Sequence, residues 1–224
     1  MKSKPSINNS ATEPVRSKGQ ASRDAILQIA ARLVTVRGLA GLSIGDLAEE
    51  AGMSKSGLYA HFKSKEELEL ATIETAAVIF DREVLQPAMQ AAPGLARLRT
   101  LADAFLNHLE RRVFPGGCFF AAVAMELDTR PGPARDRVSE ALQNWLALFR
   151  QCFLDAQSLQ EISSAVDVEQ AVFETESLLV AANFLFGMSN EVTPLRQARR
   201  GVEHLLERLA LPSEQRPTDA AEQN

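Results

Sequence analysis

Apolar residues recur at three- and four-residue spacings from Ser22 almost to the end of the chain. No stretch alternates with the period of two that marks a half-buried strand. Ile26, Ala30 and Leu33 form the stripe of a first helix, Ser22 to Arg37, which Gly38 ends. Ile44, Leu47, Ala48 and Ala51 fall at i, i+3, i+4 and i+7 behind Ser43, a good N-cap with Asp46 three residues on. Gly52 stops that helix, because the position needs a left-handed residue and glycine carries no Cβ penalty. Ser54 caps a short helix reaching Phe62, with Leu58 and Phe62 on one face. Ser64 and Glu67 form a capping box that opens a long helix from Lys65 towards Met89, with Pro87 near its end.

Five further helices follow by the same reasoning. Leu98, Leu101, Phe105 and Leu109 mark Leu95 to Arg112, and Cys118 to Leu127 is apolar throughout. Val138, Leu142, Trp145, Phe149 and Phe153 mark Ala134 to Leu159. Asp167 caps a helix running to about Ser189, and Pro194 stands at N1 of the last, which Leu211-Pro212 ends. The expectation is an all-α chain of about nine helices. Its parts are a polar N-terminal tail (1–20) expected to be disordered, a three-helix head (21–66), a larger helical body (67–212) and a polar C-terminal tail (213–224).

Hydrophobic content of 46% is enough for a well-buried core, while no uninterrupted apolar run reaches membrane-spanning length. The longest candidates are Cys118 to Met125 and Leu178 to Met188, the second broken by Asn183. Lys2 and Lys4 have no apolar segment behind them, as a secretory leader requires, and two cysteines make no disulfide framework, so a cytoplasmic location is expected. The net charge of −5 argues against a nucleic-acid partner until its distribution is considered. Residues 1–66 carry ten Lys or Arg against six Asp or Glu, and the remainder fourteen against twenty-three. A basic end on an acidic body is what local contact with DNA predicts. Lys2, Lys4, Arg16 and Lys18 would suit a flexible arm tracking phosphates or a minor groove.

Helix, glycine turn, helix over Ser43 to Phe62 is the grammar of a helix-turn-helix. The outward face of its second helix should carry Lys55, Ser56, Gly57, Tyr59, His61 and Lys63. Small residues allow close approach, Ser and Lys can meet base edges, and Tyr, His and Lys can meet phosphates. Lys65 sits in the first turn of the next helix, where the dipole disfavours a cation unless a phosphate lies beside it. With Ser43 and Ser54 these residues are the candidate contacts to a double-stranded DNA operator. The run Ser43 to Leu68, SIGDLAEEAGMSKSGLYAHFKSKEEL, closely resembles the DNA-binding segment of TetR-type transcriptional regulators, and Ile26 to Gly38 is similar to that family's first helix. Gly45 departs from a helix interior by up to ~1 kcal/mol relative to alanine, and leaves room for DNA or the preceding helix.

The body carries no phosphate loop and no nucleophile elbow. His61, His108 and His204 have no metal-ligand spacing, and Glu126 and Asp128, two apart, do not face each other and read as surface charges. No catalytic residue, metal or cofactor is expected. The resemblance implies a homodimer formed by the last two helices. Leu178, Ala182, Leu185, Phe186, Val202, Leu205 and Leu209 are the candidate contacts, on stripes that would otherwise fill the protomer core. It also implies a cavity for a small apolar effector, for which Phe80, Phe105, Cys118, Phe119, Met125, Trp145 and Phe149 are the candidate lining. Cys118 opens a helix, where the dipole would lower a thiol pKa and favour an electrophile or oxidant sensor. The preferred reading is a buried small hydrophobe, since no second cysteine stands ready to resolve it. The functional expectation is a repressor released from a pseudo-palindromic operator by its effector. The alternative is a ligand-binding or enzymatic bundle whose helix-turn-helix is only a packing motif.

Overall fold

The computed structural model describes residues 18–212. The arm residues Lys2, Lys4 and Arg16 and the polar segment from Ser213 lie outside them. Among the described residues there are nine helices and no strand, only an isolated antiparallel bridge between Ile162 and Ala210. The helices are α1 (Lys18–Arg37), α2 (Ile44–Glu50), α3 (Lys55–Tyr59) and α4 (Lys65–Phe80). α4 continues through a π turn (Asp81–Leu85) into a last α turn (Gln86–Met89). Then come α5 (Leu95–Glu110), α6 (Phe119–Leu127), α7 (Pro133–Ser158), α8 (Val168–Ser189) and α9 (Thr193–Leu209).

The caps fall where the spacing puts them. Ser43, Ser54, Ser64 and Asp167 each accept the backbone N–H of the third residue beyond, at 3.0–3.1 Å. Two boundaries differ from expectation. α1 starts at Lys18, so the expected tail loses its last three residues to helix. Its first turns are polar and exposed, and Gln20 bonds Asp24 one turn on, so extending the helix costs little. α3 ends at Tyr59, because a turn is needed to swing Phe62 into the core. The Arg23 guanidinium holds that turn, donating to the His61 carbonyl while lying 4.3 Å from the Phe62 ring centre. The π turn in α4 precedes Pro87, which has no N–H for the carbonyl four residues back. Gln86 N–H reaches five back instead, to Asp81.

Two hydrophobic cores result. The first gathers Ile26, Ala30 and Val34 of α1 with Leu47, Leu58, Phe62 and Leu68, and it does not stop at the head. Phe114, Phe119, Val123 and Leu127, all from the body, belong to it. The second packs α5, α7, α8 and α9 around Leu98, Leu106, Phe149, Phe153 and Leu179. The exposed ion pairs that link helices, such as Arg99–Glu203 and Arg150–Glu169, add little to this.

α8 corrects one expectation. As a helix of 22 residues it is long and apolar enough to cross a membrane, since Asn183 interrupts the apolar run without ending it. It packs on α5, α7 and α9.

Candidate nucleic-acid interface and internal cavity

α3 is five residues long and stands at the edge of the head with only Leu58 fully buried. Lys55, Ser56 and Lys63 are exposed, and Tyr59, the chain's single tyrosine, is 60% exposed. A large aromatic left so open is the informative kind of surface residue. Neither Lys55 nor Lys63 forms an ion pair among the described residues. Their charge is therefore available to a partner.

The other sequence candidates are more committed. The hydroxyls of Ser43 and Ser54 serve as caps, and Ser54 also meets Ser56 at 3.1 Å. Gly57 and His61 are half-buried. Lys65 folds back onto the head, its Nζ donating to the Ala40 carbonyl at 2.9 Å and pairing with Glu69 at 3.6 Å. At Gly45 the nearest neighbours belong to Lys55 and Ser43, and not to α1. A Cβ there would stand 3.3 Å from the Lys55 side chain, so this glycine lets Lys55 lie across α2.

The loop between α1 and α2 is held from the body by a residue that sequence reasoning set aside. Glu126 of α6 accepts two consecutive backbone N–H groups, Leu39 at 2.6 Å and Ala40 at 2.7 Å. It is no idle surface charge. Its partners lie more than eighty positions away, and no local spacing signals such a pairing.

The same short helix walls a cavity of about 360 Å³. Phe80, Phe105, Cys118, Met125 and Trp145 line it. Phe119 and Phe149 do not. Phe119 points the other way, fully buried in the head-side core, and Phe120 takes the wall. Phe149 is buried behind Trp145, ring centres 4.7 Å apart. Helix periodicity puts Phe119 and Phe120 on faces about 100° apart, so only one of them can face the space. Burial pushes the Cys118 thiol up to about 11, against the lowering expected from the helix end. The Cys152 thiol is likewise buried and pushed up to about 11.

The polar part of the wall went unread in the sequence. Glu176, Val180 and Asn183 form one stripe of α8 facing the cavity. Trp145 Nε1–H donates to Glu176 Oε2 at 2.7 Å, and the Cys118 N–H donates to Asn183 Oδ1 at 2.9 Å. Burial raises the Glu176 carboxyl above its ordinary range, with the Trp145 bond opposing. Glu176 is one of three acids in α8, with Glu169 and Glu174, and its spacing does not single it out.

α8 has a third face, and most of the residues expected at a subunit contact do not lie on it. Ala182, Phe186, Val202 and Leu205 are buried within the protomer, and Leu178 and Leu209 are partly buried. Gly201 on α9 is what lets Leu178 pack closely. Of the expected set only Leu185 is exposed, beside Phe173, Phe184 and Met188. Those four with Ser177 and Ala181 form an open apolar strip. The outward face of α9 is polar, with Arg200, His204 and Arg208.

Comparison with known proteins gives a consistent picture. Residues 26–72 match the family described as bacterial regulatory proteins, tetR family, and residues 94–202 match the tetracyclin repressor-like C-terminal domain. The transcriptional regulator AcuR of Cereibacter sphaeroides is 27% identical over 136 residues, 60% of this chain and 62% of AcuR, so the match spans about three-fifths of that relative. A TetR transcriptional regulator from Chloroflexus aurantiacus superposes with a TM-score of 0.79 at 28% identity, over 87% of this chain and 99% of that one. The structure of AibR in complex with isovaleryl coenzyme A and operator DNA gives a TM-score of 0.67 at 23% identity, over 84% and 97%.

Proposed function

This chain belongs to the TetR family of bacterial regulatory proteins, and on that premise we propose that it is a homodimeric, sequence-specific DNA-binding repressor released from its operator by a small ligand. The observation that carries the reading is α3, a short helix offering Lys55, Ser56 and Tyr59 outward over a fully packed core. A dimer pairs two such helices in successive major grooves, ~34–36 Å apart. The apolar strip of α8 supplies the two-fold contact, because burying Phe173, Phe184, Leu185 and Met188 against their copies removes them from water. Lys55 and Ser56 read bases, and Tyr59 and Lys63 hold phosphates. Lys65 acts second-hand, fixing the loop at Ala40. The protein is a cytoplasmic regulator with no catalytic or metal role.

The ligand occupies the body cavity, whose volume falls in the usual range for such sites. Two elements relay its arrival. α4 runs from Lys65 beneath the head to Phe80 at the cavity wall, and α6 has Met125 in the wall beside Glu126 on the head loop. A ligand that fits one setting of these helices better than the other shifts the separation of the two heads. AibR, crystallised with both a ligand and operator DNA, shows that a protein of this fold holds both.

The test is selection of bound fragments from random duplex DNA, followed by affinity measurements across a salt series. A two-fold repeated sequence should emerge. Lys63→Ala should reduce the salt slope by about two per dimer, one per protomer, whereas Ser56→Ala should change base preference. An affinity indifferent to salt, or no selected sequence, would refute the assignment.

A further inference from the structure

We infer that the body cavity is built for a mostly hydrocarbon ligand with a cationic head, an ammonium group seated against Glu176. This rests on the reading of the cavity as the ligand site and adds its chemical class. The wall is apolar and aromatic, with Phe80, Phe105, Phe120 and Trp145 around the space. Only two side chains bring polar atoms deep into it from α8, Glu176 and Asn183. Glu176 Oε2 is taken by Trp145, and its other oxygen accepts no hydrogen bond among the described residues. Asn183 Oδ1 is taken by the Cys118 backbone, so what the side chain has left to offer is the donor NH₂. No Lys, Arg or His is among the lining residues.

That inventory decides the sign of the ligand. An anion would give up its hydration and meet a carboxyl group without a compensating cation, which a buried site does not tolerate. A coenzyme A ester, whose phosphates call for basic side chains, does not suit this wall, although it suits AibR. A cation finds the free carboxylate oxygen and aromatic faces close by, both of which attract it. The groups facing Glu176 support a simple titration. α4 and α5 contribute apolar and aromatic residues, α7 contributes Trp145 and the neutral Asn144, and α6 contributes Cys118, whose thiol stays protonated. Since burial raises the Glu176 carboxyl, an arriving ammonium ion displaces any proton held there into solvent.

Trp145, the chain's single tryptophan, is a built-in reporter, and its fluorescence reads occupancy in the full-length protein. Three probes of equal length separate the charges: phenylbutylamine, phenylbutanol and phenylbutyrate. The amine should bind tightest and the carboxylate weakest. Amine affinity should rise with pH through the titration of Glu176, and alcohol affinity should stay flat. Glu176→Gln keeps an acceptor for Trp145 and removes the charge. It should weaken the amine about thirtyfold or more while leaving the alcohol little changed. A carboxylate that binds as well as the amine, or an amine preference that survives in E176Q, overturns the inference. So does failure of all three probes to perturb Trp145. The expected order of binding without operator release upholds the ligand class and refutes the effector reading instead.

Discussion

The two hydrophobic cores use the same residue types to opposite ends. The head-side core closes Phe62, Leu58, Leu47 and Leu68 to zero exposure, and the surface above it is small and polar. The body core encloses Phe149, Phe153 and Leu179 as completely, yet it stops short of Trp145 and leaves about 360 Å³ open. A recognition helix of five residues cannot hold its own shape, so a filled core must fix it. A site for a ligand needs the reverse, a wall whose rings are held at the rim and left bare in the middle. One region spends its aromatic residues on rigidity and the other on vacancy. The seam between them runs through Phe119 and Phe120, adjacent in sequence and assigned to different sides.

The widest separation should come from one substitution made on each side. Phe62→Ala empties a sealed site and removes the ring under Arg23, so it should cost about 3–5 kcal/mol and abolish operator binding. Phe120→Ala enlarges a space that already exists. It should cost less than half as much, because fewer packed neighbours are lost. Urea unfolding of the two variants measures the difference. Equal costs would mean that the cavity is sealed in solution and the contrast between the cores is false.

Next in size is His108, which lies on the seam itself. Its ring meets Phe80 of the body core at 5.8 Å and Phe114 of the head-side core at 5.5 Å. Neither ring nitrogen has a hydrogen-bond partner among the described residues. Burial lowers its pKa from 6.5 to about 4, so the folded chain keeps it neutral while the unfolded chain takes up a proton below 6.5. Stability is therefore full above 6.5 and falls as the pH drops towards 4, by about 3 kcal/mol over that window. His108→Leu should flatten this part of the profile and leave stability at neutral pH unchanged or higher, since no hydrogen bond is lost. An unaltered acid profile in the variant would move the pH dependence elsewhere.

The head was legible because its information is local. Ser43, Asp46, Gly52 and Ser54 stand at fixed offsets that name caps and a turn, and Gly52 takes the left-handed conformation assigned to it, φ +63°. The body was legible as helices, for the same reason, but not as surfaces. An apolar stripe says that a face is covered without saying by what. Val202 and Leu205 were read as subunit contacts and face their own protomer, while Phe173, off the assigned stripe, is 68% exposed. Glu126 and Glu176 were missed because their meaning lies in distant partners, the backbone of Leu39 and the indole of Trp145. Charge type and spacing carry no trace of either.

Glu126 tests whether the two regions are coupled or merely adjacent. Glu126→Gln keeps an acceptor for only one of the two N–H groups, sets its NH₂ against the other and removes the charge, which should cost about 2 kcal/mol, reduced by its partial exposure. The specific expectation is a split. Trp145 should report ligand binding much as before, while operator affinity falls and responds less to ligand. A proportional loss of both would make Glu126 a general stabiliser with no part in the relay.

The smallest effect belongs to Cys118, and its smallness separates two uses of the cavity wall. A sensor thiol must be ionised and reachable, and Cys118 is neither, being 5% exposed with its thiol pushed up to about 11. The N-terminal end of α6 does favour thiolate, through the nearby Ala121 and Phe120 N–H groups, but desolvation in this wall outweighs it. At neutral pH a thiol-labelling reagent should therefore leave the folded protein unmodified, and should label both cysteines once urea unfolds it. Cys118→Ala should leave operator affinity unchanged and shift ligand affinity only slightly, because one small wall group has been traded for another. Rapid labelling of the folded chain with loss of operator binding would show that the wall opens far enough to expose the sulfur. The cavity would then have to be treated as a reactive site as well as a receptive one.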